Sequence, residues 1–362
     1  MSKARAQEES GAKAHLAQAL RWLPGTEAEL AGILASGIGM AAPVLLAAAL
    51  GHLGAGLAAA FGALAAGRLA MGSSIKEQAW NIVAALAPVA AASVAAALIA
   101  GRGWRTDALV VVMAGAAAVL GGYSRPLAGA TTRFIPVLVI AAAVVDGVSD
   151  RAGYLLLMAA GAAWTALLYL VLGALFRAGG RLGPGADAAT PSNATRAQRF
   201  RRWKRSLSGF AGWQYALRFG SCLALAGGLR WLWPDHHLHW IALTVALLCQ
   251  RQPEAFSIKT TQRALGTAVG VLVAGTLVAF RPPAWGVVAG IALLAAARPL
   301  LRARNYLLYS AIMTPLIILI MDAGRPPDVG VLVDRLVATL VGAGLVVAAD
   351  AIAARLLRPG EA

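Results

Sequence analysis

The sequence predicts an all-α protein that crosses a membrane many times. Of its 362 residues, 59% are hydrophobic and only 13% are charged, and the mean hydropathy is +0.69. Soluble domains are about half apolar and a quarter charged. Several runs, among them Ile33–Leu50, Ala79–Ala100 and Val331–Ala349, reach the roughly 20 apolar residues that cross about 30 Å of hydrocarbon. A bilayer removes the need to hide so much apolar surface from water.

Twelve apolar segments can be drawn along the chain in two sets of six. They are 29–50, 54–71, 79–100, 107–122, 128–145 and 152–176, then 213–232, 238–250, 262–280, 284–301, 305–321 and 331–357. The segment 238–250 is short enough to be a half-helix. The polar stretch between the sets contains Gly, Pro, Ser and a basic run, as domain boundaries do. We predict a cytoplasmic N-terminal tail (1–28), two membrane halves (29–176 and 213–357), a basic cytoplasmic linker (177–212) and a C-terminal tail (358–362).

The two membrane halves share short motifs in the same order. The matches are displaced by 179 to 184 positions: Ser74-Ile75-Lys76 with Ser257-Ile258-Lys259, Trp104 with Trp285, Pro136 with Pro315, and Asp150-Arg151 with Asp334-Arg335. Four matches with nearly constant displacement indicate an internal repeat. Because each half has an even number of segments, the two six-helix repeats are expected to be parallel.

The basic residues indicate how the chain is oriented. A formal net charge of +16 is on its own typical of nucleic-acid-binding proteins. Here, however, the basic residues lie in short stretches between apolar segments. With a cytoplasmic N-terminus, about 24 Lys and Arg face the cytoplasm and about seven face the other side, the bias that the positive-inside rule describes. We therefore expect a bacterial inner-membrane protein with both termini in the cytoplasm and no nucleic-acid partner.

Two prolines within apolar segments are the first candidates for a substrate path. Pro136 and the pair Thr314-Pro315 occupy equivalent places in the two halves. A proline frees a backbone carbonyl, and a membrane tolerates that only where protein or a water-filled cavity satisfies the carbonyl. Symmetric interrupted segments indicate a transporter site. The alternative is structural, because membrane helices contain extra proline in any case.

Arginines near the ends of apolar segments form the second group of candidates. A charge at mid-bilayer costs on the order of 2.5–3.5 kcal/mol, and a guanidinium matches a carboxylate in a bidentate fork. Arg133, Arg263 and Arg335 are therefore candidates for substrate contact, and the alternative is that they anchor the topology at the interface. Arg263 is the first choice because it leads directly into the apolar run that contains Thr267. Asp350, inside the last segment, is a candidate proton relay.

Metal and cofactor sites are not expected. The run 235–239, with one Asp and three His, could bind zinc, but an interfacial turn is the interpretation we favour. Cys222 and Cys249 lie in separate apolar segments without a CxxC pattern, so we expect them to be packing residues.

The second half carries motifs that resemble the signature of the fusaric acid resistance (FUSC) family. These motifs are His239–Leu248, Gln252-Pro253-Glu254, Gln262–Gly270, Arg304-Asn305-Tyr306, Thr314-Pro315 and Asp334–Gly342. The resemblance covers roughly residues 213–350. In the first half, Trp80-Asn81 stands where the family pattern has a Gln-Arg pair, so the two halves are not equivalent.

The resemblance implies an exporter of small organic anions, above all aromatic carboxylic acids, with a path between two six-helix halves. The membrane plan is similar to that of plant malate channels. A potential that is negative inside drives a carboxylate outward by about 2.3 kcal/mol per 100 mV, so no proton coupling is required. Expected partners are the anion, membrane lipid, and a second copy or a periplasmic adaptor.

Three other functions stay open. They are a malate-type organic anion conductance, a non-transporting membrane protein, and an enzyme that holds magnesium at Asp146 and Asp150. We expect no enzymatic activity, because no nucleophile or second acidic cluster accompanies that pair.

Overall fold

The computed structural model describes residues 17–23, 30–67, 69, 74–179, 195–251, 258–280, 282–322 and 329–357. Thirteen helices of ten residues or more lie within these ranges, and the ranges contain no strand. The helices are α1 (Leu30–Ala49), α2 (Leu53–Ala66), α3 (Ile75–Ile99), α4 (Trp104–Leu120), α5 (Arg125–Asp146), α6 (Arg151–Ala178), α7 (Arg196–Leu207), α8 (Phe210–Leu232), α9 (His239–Leu248), α10 (Ile258–Ala279), α11 (Ala284–Arg304), α12 (Tyr306–Asp322) and α13 (Val329–Leu357). The protein is therefore all-helical, as the sequence predicts.

Local signals explain where several helices begin. The side chains of Ser74, Ser124 and Asp150 accept hydrogen bonds from the backbone N–H groups in the first turns of α3, α5 and α6. Thr195 and Gln198 form a reciprocal capping box at the start of α7. Short polar side chains satisfy orphan donors there and fix each starting residue.

The helices α1–α6 and the helices α8–α13 form two sets, and corresponding pairs of helices pack together in both. In the first set α2 packs on α6 and α3 on α5, and in the second set α9 packs on α13 and α10 on α12. The two sets meet where α1 packs on α11 and where α4 packs on α8. Helix α7 lies between the two sets along the chain and packs on the start of α8.

Glycines allow the closest of these approaches. A Cβ atom added at Gly62 or at Gly161 would collide with the backbone across the α2–α6 contact, and one at Gly270 would lie 2.7 Å from the Cβ of Thr314 on α12. Small residues spaced every four positions predict this kind of packing in lipid.

The structure has the features of a multi-pass membrane protein. Helices α1, α3, α5, α6, α11 and α13 are long and apolar enough to cross a bilayer, and α2, α9 and α12 are shorter apolar helices. Large apolar side chains cover the outside of the bundle, with Trp80, Leu272 and Leu293 more than 70% exposed. A water-soluble monomer rarely exposes such patches. Twelve complete crossings remain a prediction.

Helix α9 has only ten residues, which corresponds to about 15 Å, half the hydrocarbon thickness. Carbonyl groups at its end and just beyond it accept hydrogen bonds from side chains of α8 and α10. Lys259 Nζ donates to the carbonyl of Leu247 (3.0 Å), and Gln214 Nε2 donates to that of Arg251 (3.0 Å). Non-helical backbone at membrane depth needs such partners.

Candidate functional site

A cavity of about 400 Å³ lies between the two sets of helices. Helices α2, α3 and α5 form its wall on one side, and α9, α10, α11 and α12 form the other. Its volume lies in the range of small-molecule sites, roughly 300–1,000 Å³.

Basic side chains dominate the polar lining of the cavity. Lys259 and Arg263 are one turn apart on α10, Arg298 and Arg302 are one turn apart on α11, and Arg133 comes from α5. Residues four positions apart share a helix face, so each pair turns toward the same space. Among the described residues that line the cavity none is acidic, so the charge of the lining is strongly positive.

Arg263 is the most deeply placed of the α10 cations. It is 3% exposed, and its Nε atom is buried without a hydrogen-bond partner among the described residues. The hydroxyl of Ser310 on α12 donates to the Arg263 carbonyl at 3.4 Å and ties the two helices together. A buried donor of this kind is available to an incoming anion.

Arg298 joins the cavity to the first set of helices. It is 4% exposed, and its Nη2 atom donates to the carbonyl of Leu64 on α2 at 3.2 Å. A Cβ atom at Gly67 would lie 2.8 Å from the same Nη2 atom, so the absence of a side chain there makes room for the guanidinium.

Aromatic rings form part of the wall beside these charges. The ammonium group of Lys259 lies 5.6 Å from the ring centroid of Tyr306, and the rings of Tyr306 and Tyr309 are 5.7 Å apart. Phe61 of α2 also lines the cavity. The site therefore combines positive charge with aromatic surface.

The two predicted prolines occupy different surroundings. Pro136 lines the cavity, and so does Thr132, whose carbonyl Pro136 leaves without its helical partner. Pro315 is buried in α12 and frees the carbonyl of Ala311, which lies against Gly270 of α10. The symmetric places predicted from the sequence thus have different environments.

Two further candidates lie in the packing between α10 and α12. Thr267 and Thr314 are both buried and do not line the cavity. The Thr314 hydroxyl donates to the Ser310 carbonyl one turn earlier (3.3 Å).

The cavity narrows between α5 and α9. Ile140 of α5 and Leu243 of α9 close its apolar end and also line a much smaller space of about 10 Å³ beside Trp240 and Met321. His239 borders that small space and also a second cavity of about 340 Å³ at the end of α8. The three spaces follow one another along the contact between α5 and α9, and an apolar constriction separates the two larger ones.

Arg335 lies beside this constriction and not in the cavity. Its guanidinium carbon is 3.8 Å from the ring centroid of Trp240, and the residue is 1% exposed. Both Nη atoms are buried without hydrogen-bond partners among the described residues. A cation–π contact is therefore the interaction that holds this charge.

The histidine run forms a turn around Asp334. The backbone N–H of His237 donates to Asp334 Oδ2 at 2.9 Å, and the rings of His236 and His237 lie 2.8 and 3.1 Å from the two carboxylate oxygens. No group of three or more His, Cys, Asp or Glu suited to a metal occurs in the part of the chain that the structure describes.

Asp350, the candidate proton relay, lies away from the cavity. Its Oδ1 atom is 2.9 Å from Nη1 of Arg218, and both side chains are at most 5% exposed. Arg218 also donates to the carbonyl of Gln250 just after α9. This environment is that of a structural ion pair, and proton relay at Asp350 stays a prediction.

The two carboxylates considered for magnesium are both engaged. Asp146 accepts from the N–H of Gly101 (2.7 Å) and lies 3.5 Å from Arg230, whereas Asp150 caps α6.

Of the residues selected from the sequence, Arg263, Arg133 and Pro136 line the cavity. Lys259, Arg298, Arg302 and the two tyrosines were not selected. The four-residue spacing of the basic pairs on α10 and α11 was a signal that could have found them.

Comparison with known proteins identifies one family. Residues 223–349, from α8 to α13, match a family model described as fusaric acid resistance protein-like. This match confirms the resemblance seen in the second half of the sequence. No curated protein and no solved structure gives a match.

Proposed function

From the membership of residues 223–349 in the fusaric acid resistance protein-like family, we propose that this multi-pass membrane protein exports small organic anions, above all aromatic carboxylic acids. The anion binds in the cavity between the two sets of helices. The observation that carries the proposal is the cavity lining, which has five basic side chains, two tyrosines and, among its described residues, no carboxylate.

Each part of the lining matches a part of an aromatic acid. A carboxylate accepts charge-assisted hydrogen bonds from buried guanidinium groups, and each such bond contributes about 1.5–3 kcal/mol. The buried Nε of Arg263 gains a partner when the anion arrives. Tyr306, Tyr309 and Phe61 offer aromatic surface to the ring, and such ring pairs contribute about 0.5–1.5 kcal/mol beyond the burial of area.

The proposal includes a path between two parallel six-helix repeats. Its support is the packing order: the larger contacts within α1–α6, such as α2 with α6, have counterparts within α8–α13, and α1 with α11 corresponds to α4 with α8. Lys259 of α10 has a basic counterpart in Lys76 of α3, but Trp80 stands where Arg263 would be matched, and Ala117 and Gly121 stand where Arg298 and Arg302 would be. The repeats therefore share a plan, but only the second supplies most of the charge.

The proposed direction follows from where the charges lie. The basic residues sit near the start of α10 and the end of α11, the side that the charge distribution assigns to the cytoplasm of a bacterium, as it does both termini. An anion enters there, and the constriction at Leu243 and Trp240 separates it from the outer cavity. Release requires that α5 and α9 move apart. This local opening would give the site access first to one side of the membrane and then to the other, as in alternating access.

The membrane potential is the proposed driving force. Moving one negative charge out of a cell at about 150 mV releases about 3.5 kcal/mol. Neither Asp350 nor any other carboxylate of the described residues lines the cavity, which supports transport without proton coupling. The same observation favours a second candidate, a channel-like anion conductance, which differs because its flux does not saturate. The proposal includes no enzymatic step.

The test uses proteoliposomes loaded with labelled 4-hydroxybenzoate, with and without an imposed potential. Saturable release driven by the potential is expected, and Arg263→Ala should lower the apparent affinity by roughly 10- to 100-fold because one charge-assisted contact is lost. The control is Arg105→Ala, which removes an exposed arginine at the start of α4.

Equal transport by the Arg263→Ala and Arg105→Ala variants would remove Arg263 from the site. Current that rises linearly with substrate concentration would identify a channel. Absence of release across a panel of aromatic acids would refute the substrate class.

A further inference from the structure

Helices α4 and α8 pack on each other and leave a groove along the outside of their contact. At the outer end, Arg230 Nη1 lies 3.3 Å from Asp107 Oδ1 and Trp231 Nε1 donates to Asp107 Oδ2 at 2.9 Å. At the other end, Arg251, which follows α9, donates from Nη2 to the carbonyl of Ala118 in the last turn of α4 at 2.9 Å. Between these contacts a groove of about 810 Å³ opens on the outside of the bundle.

Small residues form the floor of the groove. Ala116 and Gly220 line it, and a Cβ atom added at Gly115 would meet nothing within 4 Å. The matching contact on the other side of the molecule, α1 on α11, is closed. There Ser36 Oγ donates to the carbonyl of Ala295 at 2.8 Å, and a Cβ at Gly37 would lie 3.2 Å from that of Ala296. The groove is thus a feature of one side of the bundle, and the general packing plan does not produce it.

The groove has the length of one lipid leaflet. Its α8 wall runs from Trp213 to Ala224, a rise of about 16 Å at 1.5 Å per residue. One leaflet supplies about half of a 30 Å hydrocarbon core. An acyl chain fits this length, whereas a soluble ligand would have to leave water to reach it.

Helix α7 lies at the inner mouth of the groove and carries the charge. Trp203 of α7 lines the groove, its Nε1 donates to the carbonyl of Val119 (3.2 Å), and its ring lies edge-on to that of Tyr123 at 6.0 Å. The helix contains six basic and no acidic residues in twelve, and several of its basic side chains are exposed, namely Arg196, Arg201, Arg202, Lys204 and Arg205. An amphipathic helix with tryptophan on one face and basic residues on the other lies in the interface and attracts anionic lipids.

We propose that the groove between α4 and α8 holds one acyl chain of an anionic phospholipid whose phosphate binds the basic residues of α7. Two independent observations meet there: an apolar groove one leaflet long, and a cationic helix at its mouth. The bound lipid fills the gap between the two sets of helices on the side where their contact is open.

The test measures binding of spin-labelled phosphatidylglycerol and spin-labelled phosphatidylcholine to the full chain in phosphatidylcholine bilayers by electron spin resonance. The wild-type protein should immobilise phosphatidylglycerol with a relative association constant roughly fivefold or more above that of phosphatidylcholine. Gly115→Leu fills the groove and should abolish the excess. Gly344→Leu is the matched control, because Gly344 also faces open space but on α13.

Replacing Arg201, Arg202, Lys204 and Arg205 together by Gln should reduce the phosphatidylglycerol excess to the phosphatidylcholine level. Added glycerol phosphate should not displace the lipid, because the chain contributes to binding. If the wild-type protein immobilises the two lipids equally, that result alone overturns the proposal. So would an excess that survives in Gly115→Leu, or displacement by glycerol phosphate alone.

Discussion

Replacing Asp350 by Asn distinguishes a structural ion pair from a proton relay. The carboxylate lies 2.9 Å from Arg218, and neither side chain is more than 5% exposed. The substitution removes the negative charge and leaves a buried guanidinium beside a neutral amide. Breaking a buried ion pair from one side costs about 3–5 kcal/mol. We expect a loss of that size in the free energy of unfolding.

A double variant provides the matched control. Arg218→Met with Asp350→Leu replaces both charges by apolar groups of similar length, an exchange that is often neutral or stabilising. Arg218 also donates to the Gln250 carbonyl after α9, so the double variant should recover most of the lost stability and leave a cost of about 1–3 kcal/mol for that acceptor.

The free energy is measured by unfolding in mixed micelles followed by circular dichroism, and transport is measured per folded molecule. A structural pair predicts that Asp350→Asn is unstable and that the folded fraction still transports. Retained stability together with lost transport would refute this reasoning and would make Asp350 a relay.

Two further predictions concern packing and the constriction. Gly270→Ala should destabilise the protein by about 1–3 kcal/mol because the new Cβ meets that of Thr314 at 2.7 Å. Gly275→Ala, whose new Cβ has its nearest neighbour at 3.5 Å, should be neutral or slightly stabilising. The free energies of unfolding in micelles compare the two variants, and equal values would contradict the close α10–α12 contact. Leu243→Ala should raise anion flux in the liposome assay because it widens the constriction, although it costs about 2–5 kcal/mol of stability. The control, Leu293→Ala on the outer surface, should leave the flux unchanged. If the flux of Leu243→Ala is no higher than that of the control, the barrier to the anion lies elsewhere.

The helical elements could be predicted from the sequence because hydrophobic length is a local property. Each of the twelve apolar segments corresponds to a helix, and the weak segment 238–250 became the ten-residue α9. The boundaries differ by a few residues because capping decides them: α3 begins at Ile75, after the Ser74 cap, and not at residue 79.

The candidate site was only partly predictable, because a cavity depends on which faces meet. Arg263 was selected for its depth in an apolar run, and it does line the cavity. From the sequence, Arg298 is one more basic residue at the end of an apolar segment, where it would be expected to anchor the topology, yet it is buried against Leu64 of the first half. That contact joins residues more than 230 positions apart, and no local pattern reports it. For Arg335, the sequence does not distinguish a buried arginine from one that anchors a helix at the membrane interface. The structure does, because the guanidinium lies against the ring of Trp240.

The brevity of α9 has a consequence for how the chain is made. A helix of about 15 Å is too short to span the hydrocarbon core by itself, and the carbonyl of Leu247 near its end accepts from Lys259, which leaves the ribosome twelve residues after Leu247. At 5–20 residues per second that delay is on the order of one second. During this interval α9 either stays in contact with the insertion machinery or packs against α8, which has already been synthesised and carries Gln214. We therefore expect α8, α9 and α10 to enter the membrane as one unit, so that a substitution that weakens any of them impairs membrane insertion before it affects transport.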